Sequence, residues 1–157
     1  MGFRANGDNI EVPGQAVVTL RPSSLDHVTR VRDVNKYRAW VTSLNLNAAA
    51  PIDLTVIAIP AEVTKWIPTR AVVYNPTANL SAANLGLYTA AGAGGTNIVA
   101  PVALANLTGA TTKFQVLAIA AITDHLIVNT IYPRLTVASG VAGSASLFIE
   151  FEDIGLI

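Results

Sequence analysis

The sequence predicts an all-β protein: an antiparallel β-sandwich, jelly-roll-like, with a polar N-terminal arm. Three observations carry the prediction. Between residues 132 and 152 the chain alternates with a period of two. Leu135 and Val137 oppose Arg134 and Thr136, then Leu147, Ile149 and Phe151 oppose Ser146, Glu150 and Glu152. Strands alternate this way when one face meets a core and the other meets solvent or a partner. About eight or nine such short segments follow one another with turn residues at near-regular spacing, the pattern of a sandwich. No stretch has the 3.6-residue periodicity of a long amphipathic helix.

Composition divides the chain near residue 38. Residues 1–37 are polar and punctuated by Gly2, Gly7, Pro13, Gly14 and Pro22. They hold one clear strand candidate, 15–20, and a short helical turn capped by Ser23 or Ser24 with Asp26 in its first turn. This segment reads as an arm or peripheral layer, and equally as the first strand and loops of the same domain. Residues 38–157 are the sandwich domain. Residues 38–46 alternate imperfectly. Residues 52–59 alternate at first and then turn apolar on both faces, ending at Pro60. The connection Lys65-Trp66-Ile67-Pro68 leads into a β-branched run, 69–75, that Pro76 ends. Residues 84–89 place Leu85 and Leu87 on one face with Gly86 between them.

Residues 90–96 form a glycine-rich loop. In 97–106, Pro101 suits the first position of an Ala-rich helical turn that Gly109 closes. Residues 113–122 and 124–131 are further apolar segments leading into the strands at 132–138 and 146–152. Those last two read as a hairpin, joined by Ser139-Gly-Val-Ala-Gly-Ser144, whose glycines supply positive φ in a tight connection. Phe148 breaks the alternation by standing on the polar face; an exposed aromatic is often harmless, but on a contact face it would be an anchor.

A chain of 157 residues is most simply one core that buries about two-thirds of its unfolded surface. Charged residues make up 13% and hydrophobic residues 52%, against about 25% charged in ordinary domains. The longest apolar run, 116–122, is far short of the about 18 residues a spanning helix needs. Residues 1–8 show no apolar stretch of a signal peptide. Few charges and much small-residue surface therefore favour a subunit of an oligomer or assembly.

The absence of cysteine excludes disulfides, thiolate zinc sites and thiol catalysis. Net charge is zero, with a small basic excess in residues 1–40. That excess is too slight for nucleic-acid binding, which needs a dense basic stripe. Arg21, Arg30, Arg32, Lys36 and Arg38 are instead candidate guides toward an acidic partner surface.

Catalytic constellations are weak. Gly92, Gly94 and Gly95 make only a partial dinucleotide fingerprint, because position 97 is Asn and no Walker lysine follows. His27 and His125 each follow an aspartate. Adjacent strand residues point to opposite faces, so Asp124 and His125 read as a solvated loop pair rather than a metal site. No G-x-S-x-G elbow is present. Glu150 and Glu152 share a strand face at glycosidase-like spacing, but near the C-terminus on a solvated face they read as structural surface carboxylates. Trp40, Tyr74 and Phe151 fall in strands and read as core; Trp66, in its connection, is the best exposed aromatic. The expectation is no enzyme, no cofactor and no metal.

Residues 68–101, Pro-Thr-Arg-Ala-Val-Val-Tyr-Asn-Pro-Thr-Ala-Asn-Leu-Ser-Ala-Ala-Asn-Leu-Gly-Leu-Tyr-Thr-Ala-Ala-Gly-Ala-Gly-Gly-Thr-Asn-Ile-Val-Ala-Pro, resemble small virion proteins of tailed bacteriophages and prophages. There a strand ending in an Asn-containing turn precedes Leu/Phe-Tyr/Thr-Thr-Ala-Ala-Gly, a glycine run and an apolar segment. The strands at 132–152 look like their closing strands. The resemblance implies a capsid decoration, or cement, protein: a β-sandwich or jelly-roll domain, a trimeric homo-oligomer, and the major capsid protein as partner. It would be made in the host cytoplasm and lie on the exterior of the virion. Residues 1–37 lie outside the resemblance, and it assigns no functional residue. From the residues themselves, Arg21, Arg30, Arg32, Lys36, Arg38, Trp66 and Phe148 are the candidate partner contacts. A tail-fibre or spike module that binds a surface glycan through aromatics such as Trp66 and Tyr88 is the alternative.

Overall fold

A computed structural model describes residues 36–155 and, before them, the strand backbones β1 (Arg4–Asn6), β2 (Asn9–Glu11) and β3 (Val18–Thr19). The chain divides into two units, Met1–Asn35 and Lys36–Ile157. In the first, β1, β2 and β3 form an antiparallel sheet in that order, with Arg4 opposite Glu11 and Asn9 opposite Thr19. The strand expected at 15–20 is described only at Val18–Thr19. The helical turn expected at Ser23 or Ser24, with Arg21, Arg30 and Arg32, lies outside the described residues.

The second unit is a sandwich of two antiparallel sheets. Its strands are β4 (Lys36–Asn45), β5 (Ile52–Asp53), β6 (Ile57–Ala58), β7 (Trp66–Tyr74), β8 (Asn84–Ala90), β9 (Gly94–Ala103), β10 (Phe114–Leu117), β11 (Thr130–Val137) and β12 (Ser144–Asp153). One sheet runs β10-β7-β12-β4. The other runs β5-β11-β8-β9, with β6 also on β11. Taking β5 and β6 together as the second strand of the unit, chain order within the sheets is 1-8-3-6 and 2-7-4-5.

Alternation explains why these strands face as they do. In β12, Ala145, Leu147, Ile149, Phe151 and Asp153 are buried while every residue between them is partly exposed. Ala39, Val41 and Leu44 of β4 and Ala71 and Val73 of β7 point the same way. They meet Leu85 and Leu87 of β8, Ile98 and Val99 of β9, and Ile131 and Leu135 of β11 in one hydrophobic core. Burying each large side chain contributes about 1.5–3 kcal/mol.

The expected hairpin at 132–152 is corrected. Both strands exist, but they do not pair: β11 lies beside β8 and β5, and β12 between β7 and β4. Period-two alternation fixes which face a strand buries and says nothing of its neighbour. The connecting loop crosses from one sheet to the other. The Ser139 amide donates to the Leu46 carbonyl (2.8 Å) and the Leu46 amide to the Gly143 carbonyl (3.2 Å). A Cβ on Gly143 would lie 2.8 Å from Leu80 Cδ2 and 2.9 Å from Ala78 Cβ, so the loop needs glycine there for close packing.

Two further expectations change. Pro101 does not start a helical turn but lies in β9. This strand ends its sheet, where a missing N–H costs no ladder bond on the open side. The run 52–59 is two short strands, both on β11, with the Leu54 amide donating to Pro133 O (2.7 Å) between them. Within 113–122 only Phe114–Leu117 is a strand, and in 124–131 a strand begins only at Thr130.

Candidate contact face

The two outer faces of the sandwich differ in kind. Register sets what stands together on the outside of the β10-β7-β12-β4 sheet. Phe148 of β12 lies opposite Trp40 on one side and Val72 on the other, and Val72 lies opposite Val116. An apolar row therefore crosses all four strands. Trp40 is 64% exposed and Val116 50%. Val72 is covered, yet it is absent from the core cluster that contains its neighbours Ala71 and Val73. A second row adds Tyr74 and Phe114, which is 55% exposed. Phe148 and Tyr74 form a tilted pair with centroids 5.6 Å apart.

A charged row runs beside the apolar one. Glu150 stands opposite both Arg38 and Arg70. Arg38 donates to the Glu150 carboxylate and holds its guanidinium carbon 4.4 Å from the Phe148 ring centroid. One turn of the pleat further, Glu152 stands opposite Lys36 and Ile67. An apolar centre with aromatic residues and a charged rim is the anatomy of a protein contact surface.

On the outside of the other sheet, side chains pack on and pair with one another. Tyr88 is only 7% exposed and covers Gly86, where an added Cβ would lie 3.0 Å from Tyr88 Cε2 and 3.3 Å from Pro101 Cγ. Arg134 of β11 donates to Asp53 of β5 at 2.6 Å, and the Gly92 amide donates to the same carboxylate at 2.7 Å. Partial burial works to raise the Asp53 pKa, but the Gly92 amide and Arg134 outweigh it and hold the carboxyl below its ordinary value. A lowered folded-state pKa means the unfolded chain takes up the proton first. The contribution to stability is therefore complete above about pH 4–5 and lost as acid carries the folded group through its own, lower value. Asp53→Asn is expected to flatten the acid limb of a stability-against-pH curve measured by urea unfolding; an unchanged limb would show that Asp53 takes no part in it.

Several sequence candidates are relocated by the structure. Trp66, expected to be exposed, is 0% exposed: its indole packs on Phe151 at 5.3 Å and its Nε1 donates to the Val128 carbonyl at 2.9 Å. Trp40 and Tyr74, expected in the core, lie on the outer face. Lys36, Arg38 and Phe148 are brought together there, while Trp66 points the opposite way. Trp66 and Tyr88, the aromatics of a glycan platform, are both buried. Sequence reasoning missed Trp40, Arg70, Phe114 and Val116 as surface partners. The signal for Trp40 was present, since it alternates with Arg38 and Thr42 against Ala39 and Val41.

Among the described residues no three histidine or acidic side chains converge as a metal site, and no helix is long and apolar enough to cross a membrane. His125 Nδ1 lies 3.0 Å from Asp124 Oδ1, whose side chain is 85% exposed, so the pair is a solvated loop contact. Gly92 and Gly95 both adopt positive φ (69°) in the turn between β8 and β9 and next to it, a conformation glycine allows. No protein-family model, curated protein or solved structure matches the chain.

Proposed function

We propose that this protein is a structural component of a virion, a capsid decoration or cement protein. In this reading it acts as a homo-oligomer on the capsid exterior and bridges neighbouring major capsid subunits. The observation that carries the reading is the strand order. Sheets ordered 1-8-3-6 and 2-7-4-5 support a jelly roll, the eight-stranded double sheet used by viral capsid and lectin domains. The phage-virion resemblance of residues 68–101 points to the capsid branch. The lectin branch loses the aromatics on which it depended, because Trp66 is in the core and Tyr88 is only 7% exposed.

Stabilisation follows from mass action: a ligand that binds only the assembled lattice stabilises it by its binding free energy. Several weak contacts in one oligomer add through high effective concentration. Basic residues at the start of the sandwich, Lys36 and Arg38, and the earlier Arg21, Arg30 and Arg32, supply attraction toward an acidic shell surface. Particles stripped of the protein are expected to rupture at a lower temperature and to recover on its return. An unchanged rupture temperature overturns the reading.

A further inference from the structure

We propose that the outer face of the β10-β7-β12-β4 sheet is a self-association surface that takes a second copy of this chain across a two-fold axis. The axis runs parallel to the strands, between β12 and β7.

Size and charge both point to that occupant. The apolar row reads Trp40, Phe148, Val72, Val116 across β4, β12, β7 and β10, so the bulky side chains occupy one half and the small ones the other. Rotation about an axis between β12 and β7 brings β12 over the second copy's β7, and β4 over its β10. Phe148 then lies over the position of Val72, itself only 3% exposed, and Trp40 meets Val116, large against small in both halves. In the adjacent row the same rotation sets Glu150 over Arg70 and Arg70 over Glu150. The contact is isologous and closed, as a two-fold interface must be. A face that matched only a foreign protein would need neither coincidence.

The dimensions are also suitable. Three strands of nine or ten residues and β10 of four, at about 4.8 Å between strands and about 3.4 Å per residue, give a face of about 500 Å². That is of the order of the about 800 Å² per partner in a standard interface. Sheets packed face to face lie about 10 Å apart and within about 30° of alignment. On the opposite sheet Tyr88 and Pro101 pack around Gly86, and the register sets no comparable large-against-small row across its strands.

The inference deepens the homo-oligomeric part of the proposed function, but it is read from the sheet alone and stands or falls separately from any role on a capsid. The test uses the purified full chain in sedimentation velocity from micromolar to hundred-micromolar concentration. The wild type should be dimeric or a multiple of dimers. Glu150→Arg and Arg70→Glu, each placing like charges across the axis twice, should each weaken association about tenfold or more. An equimolar mixture of the two variants should recover it. In the mixed dimer the arginine introduced at position 150 of one copy faces the glutamate introduced at position 70 of the other. The unchanged Arg70 of the first copy likewise faces the unchanged Glu150 of the second. Within each variant chain the two positions still carry like charges, so repair of an intrachain pair cannot produce that recovery. Circular dichroism confirms that each variant is folded, and Trp40→Ala, at a position 64% exposed, serves as a second variant expected to dissociate the dimer. A monomeric wild type overturns the proposal. So does an oligomer that ignores both charge changes, or variants whose mixture does not reassociate; in those two cases a homo-oligomer built on another surface survives.

Discussion

Replacing Trp66 with alanine is expected to remove about 3–5 kcal/mol of stability, the range for emptying a large aromatic site in a packed core. The side chain is wholly buried, and it sits where three elements meet. Its ring packs against Phe151 of β12, which itself stacks on Tyr37 of β4 at 5.7 Å. Its backbone exchanges both hydrogen bonds with Leu126, at 2.9 and 2.8 Å, tying the start of β7 to the segment before β11. Trp66→Phe separates the two contributions of the indole. It keeps much of the packing but leaves the Val128 carbonyl without its Nε1 donor, at a cost of about 1–3 kcal/mol. Calorimetric unfolding should therefore order the stabilities as wild type, Trp66→Phe, Trp66→Ala. A Trp66→Ala loss below about 1 kcal/mol would remove Trp66 from the core.

The two tryptophans show what local sequence could and could not reveal. Trp40 stands in a strand whose alternation was imperfect. Ser43, with φ of 57°, and the shift of register between Ala145 and Leu147 interrupt its pairing with β12. Reading forward from Arg38 gives the outward face; the tendency of aromatics to fill cores gives the opposite answer, and register wins. Trp66 lies between Lys65 and Ile67, whose exposure makes the surroundings look peripheral, yet one residue of period two suffices to turn the ring inward. Phe148 was legible because its neighbours Leu147 and Ile149 fixed its side without ambiguity. Partnering was not legible at all. The pairing of β12 with β4, more than a hundred residues earlier, has no local sign. The loop at 139–143 carries the glycines of a tight turn while serving as a crossing between sheets. What sequence supplied was the face of each strand; what the fold added was which outward residues share a row.

Adjacent residues of β12 are expected to respond oppositely to the same substitution. Leu147→Asp places an unpaired carboxylate in a core where Leu147 is 0% exposed. Its cost exceeds about 4–5 kcal/mol, either as desolvation of the charge or as the lost packing and protonation that avoid it. Phe148→Asp puts the same group on the outer face between Trp40 and Val72. It loses the ring pair with Tyr74 and the Arg38 contact, together about 1–2 kcal/mol, while the acidic group remains hydrated and lies near Arg38. Urea unfolding by circular dichroism should show Leu147→Asp largely unfolded and Phe148→Asp folded with a modest shift of midpoint. Sedimentation then distinguishes the faces again, because Phe148→Asp should be a folded monomer, with its charge set against apolar Val72 of a second copy. Equal destabilisation by the two would mean that β12 is buried on both sides. A folded Phe148→Asp that still associates would leave the sandwich intact and take the apolar row out of the contact, because a dimer that buries this row cannot admit a carboxylate at its centre.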